Sequence, residues 1–245
     1  MVGKFSVQES SLRRGNRVIP IDTTALSTLC NLVAGFSNWH QRTYSRPEPY
    51  GSQCGEDAIL AELLPEANGV YVDVGAGEPV SCSNTFHLWE RGWRGLLIEP
   101  RKDAVWDLCS RRYGDYVYPA AASNVDGWAQ LHLHGSVSSL QADWNIQEQA
   151  RTFCATERLA SILAKFQAIR DACLLCSMDV EGHEREALEG IDWATFKPRV
   201  FCVEYKIYGV SPPNDENTER WEPLLLAQGY KLHQTTALNK IYVRA

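Results

Sequence analysis

The stretch Val70-Tyr71-Val72-Asp73-Val74-Gly75-Ala76-Gly77-Glu78 constrains the fold more than any other part of the chain. A β-branched and aromatic run of strand composition breaks directly into two glycines around one alanine. Twenty-four residues on from Gly75, a second apolar run, Gly95-Leu96-Leu97-Ile98, ends on Glu99. In an open α/β sheet this pairing holds a nucleoside. The glycines let the backbone turn sharply and approach the ligand, and the acid accepts hydrogen bonds from ribose hydroxyls. Two glycines alone would equally fit a tight strand-to-helix turn beside an unrelated surface acid. The spacing of Glu99, at a strand end, favours the nucleoside reading.

The 245 residues fit one α/β domain with a short extension, and 44% apolar residues suffice for a full core. A net charge of −6 argues against nucleic acid as a partner, because neutralising phosphates needs clustered Lys and Arg. Arg13-Arg14 and Arg111-Arg112 are the only adjacent arginines. Eight cysteines are spread along the chain, and no apolar core of a secretory signal lies directly behind the first charged residues. Free thiols in a reducing compartment, the cytoplasm, are therefore expected. Cys173 and Cys176 have the spacing of a metal or redox pair. They fall in the pattern of a buried strand, where residues three apart point to opposite faces, so plain packing is expected. No apolar run reaches the roughly 18 residues needed to span a bilayer. The longest, residues 25–36, is interrupted by Ser27, Thr28 and Asn31 and reads as an amphipathic helix.

Residues 1–48 read as a polar extension that offers a surface for oligomerisation, and residues 49–245 as the folded domain. From about residue 50, strand runs alternate with helical patterns, which predicts a mostly parallel sheet with helices on both faces. Strands are expected at 69–74, 95–98, 116–121, 128–134, 173–179, 200–204, 230–234 and 240–243. Helices are expected at 56–64, 84–91 (capped by Ser83 or Asn84), 101–112, 157–166, 183–188 and 218–228. The last two strands are joined by a short turn and must be antiparallel. Such an ending differs from the all-parallel dinucleotide fold and fits the sheet of nucleoside-dependent methyltransferases.

Ligands of open α/β sheets lie beyond the carboxyl ends of the strands. The polar residues there are Asp73 to Glu78, Glu99, Ser123-Asn124, the segment from Asp179 through Glu181 and His183 to Glu184, and Glu204-Tyr205. Asp73 either orders the glycine turn by accepting backbone N–H bonds or meets the positive end of a cofactor. Asp73 and Glu78 together would repel a pyrophosphate and suit a sulfonium, which favours S-adenosylmethionine over NAD. Glu181 and Glu184 fit a helix start, where acids are favoured. Asp179, still attached to an apolar strand, would sit on the floor of a cleft. A general base, a metal ligand or a hydroxyl acceptor are the roles open to Asp179, Glu181 and His183. Glu204 ends the next strand, and Asp179 and Glu204 could share a hard divalent ion such as magnesium or bind sugar hydroxyls.

The chain resembles the FkbM-type family of S-adenosylmethionine-dependent O-methyltransferases. The resemblance rests on Ser52-Gln53, Gly55-Glu56-Asp57, the run from Tyr71 to Gly77, Ser83-Asn84-Thr85, Gly92-Trp93 and Gly95, Leu97-Ile98-Glu99-Pro100, Ala121-Ala122-Ser123 and Gly127, Ser138-Ser139-Leu140, the segment from Ser177 to Gly182 with Glu184, Ala187-Leu188, Gly190 and Val203-Glu204. It implies a Rossmann-like methyltransferase fold with a mostly parallel seven-stranded sheet and an antiparallel last strand. It implies that Asp73, Gly75, Ala76, Gly77, Glu78, Asn84, Glu99, Pro100, Ser123 and Asp179 hold S-adenosyl-L-methionine, with Ser123 near the adenine. Asp179, His183 and Glu181 are the catalytic candidates, and related macrolide sugar methyltransferases make a magnesium ion at Asp179 and Glu204 an option. The implied acceptor is a hydroxyl of a sugar, glycan or secondary metabolite. Glu78-Pro79 and His183 depart from the usual residues. Trp144, Tyr205 and Tyr208 could stack on a sugar, and Ser138-Ser139 could line the acceptor pocket. An NAD(P)-dependent oxidoreductase, on a similar sheet but without the third glycine, and a non-catalytic nucleoside-binding module are the rival readings.

Overall fold

A computed structural model of the chain describes residues 51–134, 138–141, 149–206 and 216–244. The extension 1–48, the apolar stretch 25–36, Trp144 and Tyr208 lie outside them. The elements run α1 (Glu56–Leu63), β1 (Val70–Val74), α2 (Phe86–Glu90), β2 (Arg94–Ile98), α3 (Lys102–Arg111), β3 (Tyr116–Tyr118), β4 (Ala121–Ser123), β5 (Gly127–Leu133), β6 (Ala150–Arg158), α4 (Leu159–Lys165), α5 (Gln167–Ala172), β7 (Cys173–Met178), α6 (Glu184–Glu189), β8 (Val200–Glu204), α7 (Glu216–Ala227), β9 (Tyr230–Thr235) and β10 (Asn239–Arg244).

Seven strands form the main sheet in the order β3-β2-β1-β7-β8-β10-β9. Only β10 runs against the others, pairing antiparallel with both β8 and β9. The strand order reverses between β1 and β7, which opens the crevice where such sheets take ligands. Alternation along the strands divides the core into two layers. Val72, Val74, Leu96 and Ile98 face α4, α5, α6 and α7. Tyr71 and Leu97 face the other way, onto Leu60 of α1, Leu88 of α2 and Leu108 of α3. With both faces covered, β1, β7 and β8 read as continuous apolar runs.

The parallel register prepares the site. Val74 stands opposite both Ile98 and Met178, and Met178 opposite Val203. The next residue on each strand is therefore level with its neighbours: Gly75, Glu99, Asp179 and Glu204 form one row along the carboxyl edge.

Several expectations are corrected. Pro119 has no N–H for a ladder, and the strand expected over 116–121 breaks there. Its second half is β4, which leaves for a separate sheet of order β4-β6-β5. The strand β6 was not expected, and the helix placed at 157–166 begins only at Leu159. The helix expected from Asn84 is shorter and lacks a side-chain cap, because the Thr85 hydroxyl donates to Asp73 instead (2.6 Å). Cys173 and Cys176 lie in the same core layer rather than on opposite faces. The pairing skips Leu174 between Val70–Cys173 and Tyr71–Leu175, and this bulge reverses the alternation. The seven cysteines among the described residues are all free.

Candidate active site

The glycine turn leaves β1 with φ of +78° at Gly75 and +54° at Gly77, a region that side chains rarely enter. A Cβ on Gly75 would also lie 1.8 Å from the carbonyl oxygen of Asp179, so glycine is needed for β1 and β7 to close side by side. The amides of Gly75 and Ala76 donate to Ile98 O (2.8 and 3.2 Å). The amide of Gly77 donates to Glu99 Oε2 (2.9 Å), and Glu99 Oε1 accepts from the Arg101 amide (2.7 Å). Each carboxylate oxygen retains a second lone pair for a ligand hydroxyl. Burial raises the Glu99 pKa, against the Arg101 charge and the two amides. Glu99 thus both fixes the turn and faces the cavity.

Asp73 is engaged beneath the glycine turn. It lies on the α2 side of β1, does not line the cavity, and accepts from Thr85 Oγ1 (2.6 Å). Arg112, 1% exposed, completes this underlying lattice. It donates to Tyr71 Oη (2.8 Å), Thr85 Oγ1 (3.0 Å), Ser83 Oγ (3.3 Å), Pro79 O (3.2 Å) and Asp115 Oδ2 (3.1 Å). The Asn84 side chain donates to Ser177 Oγ (3.3 Å) and Cys202 Sγ (3.8 Å), and the residue is not among those lining the cavity.

A cavity of about 270 Å³ lies over the row of strand ends. Its walls are residues 75–78, 98–101, 120–122 and 179–181, with Gln53, Cys82, Leu131, Ser138, Leu140 and His183. The expected residues Gly75, Ala76, Gly77, Glu78, Glu99, Pro100, Asp179, Glu181 and His183 thus converge on one space. Ser123 stands behind the alanine wall, its hydroxyl 3.1 Å from His183 Nε2. The side of the cavity formed by β4 and β5 comes from the small sheet.

Three carboxylates also meet at this edge of the sheet. One oxygen each of Asp179, Glu181 and Glu204 lies within 4.8 Å of the others. Glu181 adopts φ of +55° and Gly182 of +92°. Ser139 Oγ donates to Glu181 O (2.7 Å), Gln141 Nε2 donates to Gly182 O, and Glu184 Oε1 accepts from the amides of Val180 (3.3 Å) and Gly182 (3.1 Å). This scaffolding turns the Glu181 carboxylate inward. Asp179 Oδ1, Glu181 Oε2 and Glu204 Oε2 are buried and have no hydrogen-bond partner among the described residues. Burial pushes the Asp179 carboxyl up to about 7, with the charges of Glu184, Asp73 and Glu99 adding and a hydrogen bond to Glu204 opposing. Burial, and then the charge of Asp179, holds Glu181 and Glu204 well above the usual range. Burial lowers the His183 pKa against the pull of Glu186 (3.6 Å from Nδ1), so His183 is neutral near pH 7.

Two arginines at or beneath the site escaped the sequence reading. Arg101 lines the cavity beside Glu99; its place two residues beyond the ribose acid was the available signal. Arg112 showed only as half of an arginine pair. Tyr205 is buried and donates to Thr236 O (3.3 Å), so it packs rather than stacks on a ligand.

The glycine turn, Glu99 and the acid-lined cavity gather at the switch point, where open α/β sheets take ligands. The Methyltransferase FkbM domain family matches residues 73–232, most of the chain, and the chain belongs to that family. It is an S-adenosylmethionine-dependent methyltransferase, and the oxidoreductase reading falls. No curated protein matches the sequence. Among solved structures, a TehB-like SAM-dependent methyltransferase from Corynebacterium glutamicum is similar at 10% identity and TM-score 0.41, over 91% of this chain and 98% of that one. An O-methyltransferase from Bacillus cereus in complex with S-adenosylhomocysteine is similar at 13% identity and TM-score 0.44, over 92% and 93%. The 1,6-didemethyltoxoflavin-N1-methyltransferase of Burkholderia thailandensis is similar at 14% identity and TM-score 0.40, over 94% and 93%.

Proposed function

We propose that the enzyme is an O-methyltransferase acting in the cytoplasm on a hydroxyl of a sugar, glycan or secondary metabolite. The observation that carries this reading is Asp179: a carboxylate on the cavity wall, level with the glycine turn, with an unpartnered oxygen and a pKa near 7. When bound, S-adenosylmethionine supplies an electrophilic methyl group on a sulfonium. The cradle fits it. The glycine turn admits close backbone approach, Glu99 offers lone pairs to two ribose hydroxyls, and the acidic walls suit a cation.

A hydroxyl attacks poorly until it loses its proton, and a base with a pKa near the working pH serves best. Asp179 would take that proton through Oδ1 as the C–O bond forms and the methyl–sulfur bond breaks, the sulfonium leaving as the neutral thioether S-adenosylhomocysteine. Holding the acceptor oxygen about 3–3.5 Å from the methyl supplies much of the remaining rate. Glu181 and Ser138, on the cavity wall, would orient acceptor hydroxyls, and His183, in contact with Ser123, supports the same wall. The free cysteines support a reducing compartment.

The carboxylates also fit a hard divalent ion such as magnesium, because one oxygen from each of the three converges within 4.8 Å and each residue has a buried oxygen without a hydrogen-bond partner among the described residues. Asp179, Glu181 and Glu204 would hold it, and it would acidify a bound hydroxyl. Methyl transfer to a panel of deoxysugars, glycans and polyketide alcohols, with labelled S-adenosylmethionine and with and without chelator, tests the reading. Transfer to nitrogen alone would overturn the O-methyl assignment. Full activity after thorough chelation would remove the metal.

A further inference from the structure

Arg101 is a buried cation with an unused donor. It is 6% exposed, and its backbone caps the start of α3. Nε and Nη2 both bind Asp103 (3.3 and 2.8 Å), whereas Nη1 is buried with no hydrogen-bond partner among the described residues. Native structures rarely leave a charged N–H in that condition, because desolvation without a partner is costly. Arg101 is among the residues that line the cavity, and its own amide holds Glu99 Oε1. The missing acceptor therefore belongs to whatever lies against Glu99.

Resting on the S-adenosylmethionine reading above, we infer that Arg101 is a cofactor-binding residue whose Nη1 donates to the oxygen of a ribose hydroxyl while that hydroxyl donates to Glu99. A hydroxyl can do both at once, having one proton and two lone pairs. Each Glu99 oxygen already accepts one amide and has room for one hydroxyl proton. The ribose oxygens are then left needing a donor, and Nη1 is that donor. Asp103 engages one edge of the planar guanidinium and so fixes the direction of the remaining nitrogen. An ammonium, free to rotate and without a second edge, could not do both.

The test is calorimetric titration of the full-length wild type, Arg101→Met and Arg101→Lys with S-adenosylhomocysteine and with its 2′-deoxy and 3′-deoxy analogues. Wild-type binding of S-adenosylhomocysteine checks the cofactor reading by itself, and its absence would sink that reading. Given wild-type binding, Arg101→Met is expected to weaken S-adenosylhomocysteine by roughly 10- to 100-fold. It should cost much less with the deoxy analogue that lacks the partner hydroxyl. Arg101→Lys should recover only part of the loss, and it completes the cycle should Arg101→Met fail to fold. Wild-type affinity in the variants would overturn the inference, as would equal losses with all three ligands.

Discussion

Glu99 holds the turn with both carboxylate oxygens and is proposed to hold the ribose with the same atoms, and the substitution that loads both is Glu99→Gln. The amide would set an NH₂ against the N–H of Gly77 or of Arg101, where the structure has an acceptor. Affinity for S-adenosylhomocysteine should fall by about 1.5–3 kcal/mol, the range for hydrogen bonds to charged groups. Unchanged affinity in calorimetry would break the ribose assignment. Asp179→Asn has the opposite signature. It keeps the size of the side chain and removes the base, so cofactor binding should persist while methyl transfer is lost; near-normal turnover would take Asp179 out of the chemistry. Gly75, Gly77, Glu99 and Asp179 could be read from the sequence because each sits at the end of a strong strand signal. Asn84 and Ser123 could not be placed that way, since a turn or short strand does not reveal which way a polar side chain points. Arg101 and Arg112 gave only a charge signal, and their meaning lies in partners far along the chain.

At the scale of elements, the glycine turn is held from beneath. Arg112, at the end of α3, reaches β1 through Tyr71, the start of α2 through Thr85, and the loop between them through Pro79 and Ser83. Removing it with Arg112→Met leaves Asp115 buried without its ion-pair partner, and loss of one partner of a buried pair costs about 3–5 kcal/mol. Urea unfolding should show that loss, and a drop below about 1 kcal/mol, the worth of a surface ion pair, would mean that the network is not structural. The main sheet was legible because its central strands are covered on both faces and stay apolar throughout. The small sheet was not. In β6 Phe153 is 64% exposed while Cys154 beside it is buried, so the apolar period points away from the core it helps build. The bulge at Leu174 hid itself in the same way, since a run of apolar residues carries no mark of a skipped position.

The whole molecule sets the environment of the acid cluster, and that environment has a cost that varies with pH. Register sets Asp179 and Glu204 side by side, the left-handed turn at Glu181 adds the third carboxylate, and the core beneath them removes water. Asp179 is raised from 3.8 to about 7, and Glu181 and Glu204 are raised as well. For a raised carboxyl the folded chain keeps a proton that the unfolded chain has already released. The favourable linkage is complete below the unfolded pKa of about 4 and is lost as pH rises through the folded value of about 7. In chelator-treated protein the cluster therefore makes the fold less stable at pH 8 than at pH 5. Other carboxylates work the opposite way: Asp103 is lowered, against burial, by Arg101, and Glu66 is lowered by Arg199. The comparison that isolates the cluster is wild type against Asp179→Asn, with urea midpoints taken from pH 5 to pH 8. The variant should gain on wild type steadily across that range, because its amide never has to ionise. Parallel curves would show that Asp179 ionises as an ordinary carboxylate. The proposed base would then be charged throughout the range, and the rise of activity through neutral pH expected of it would disappear as well.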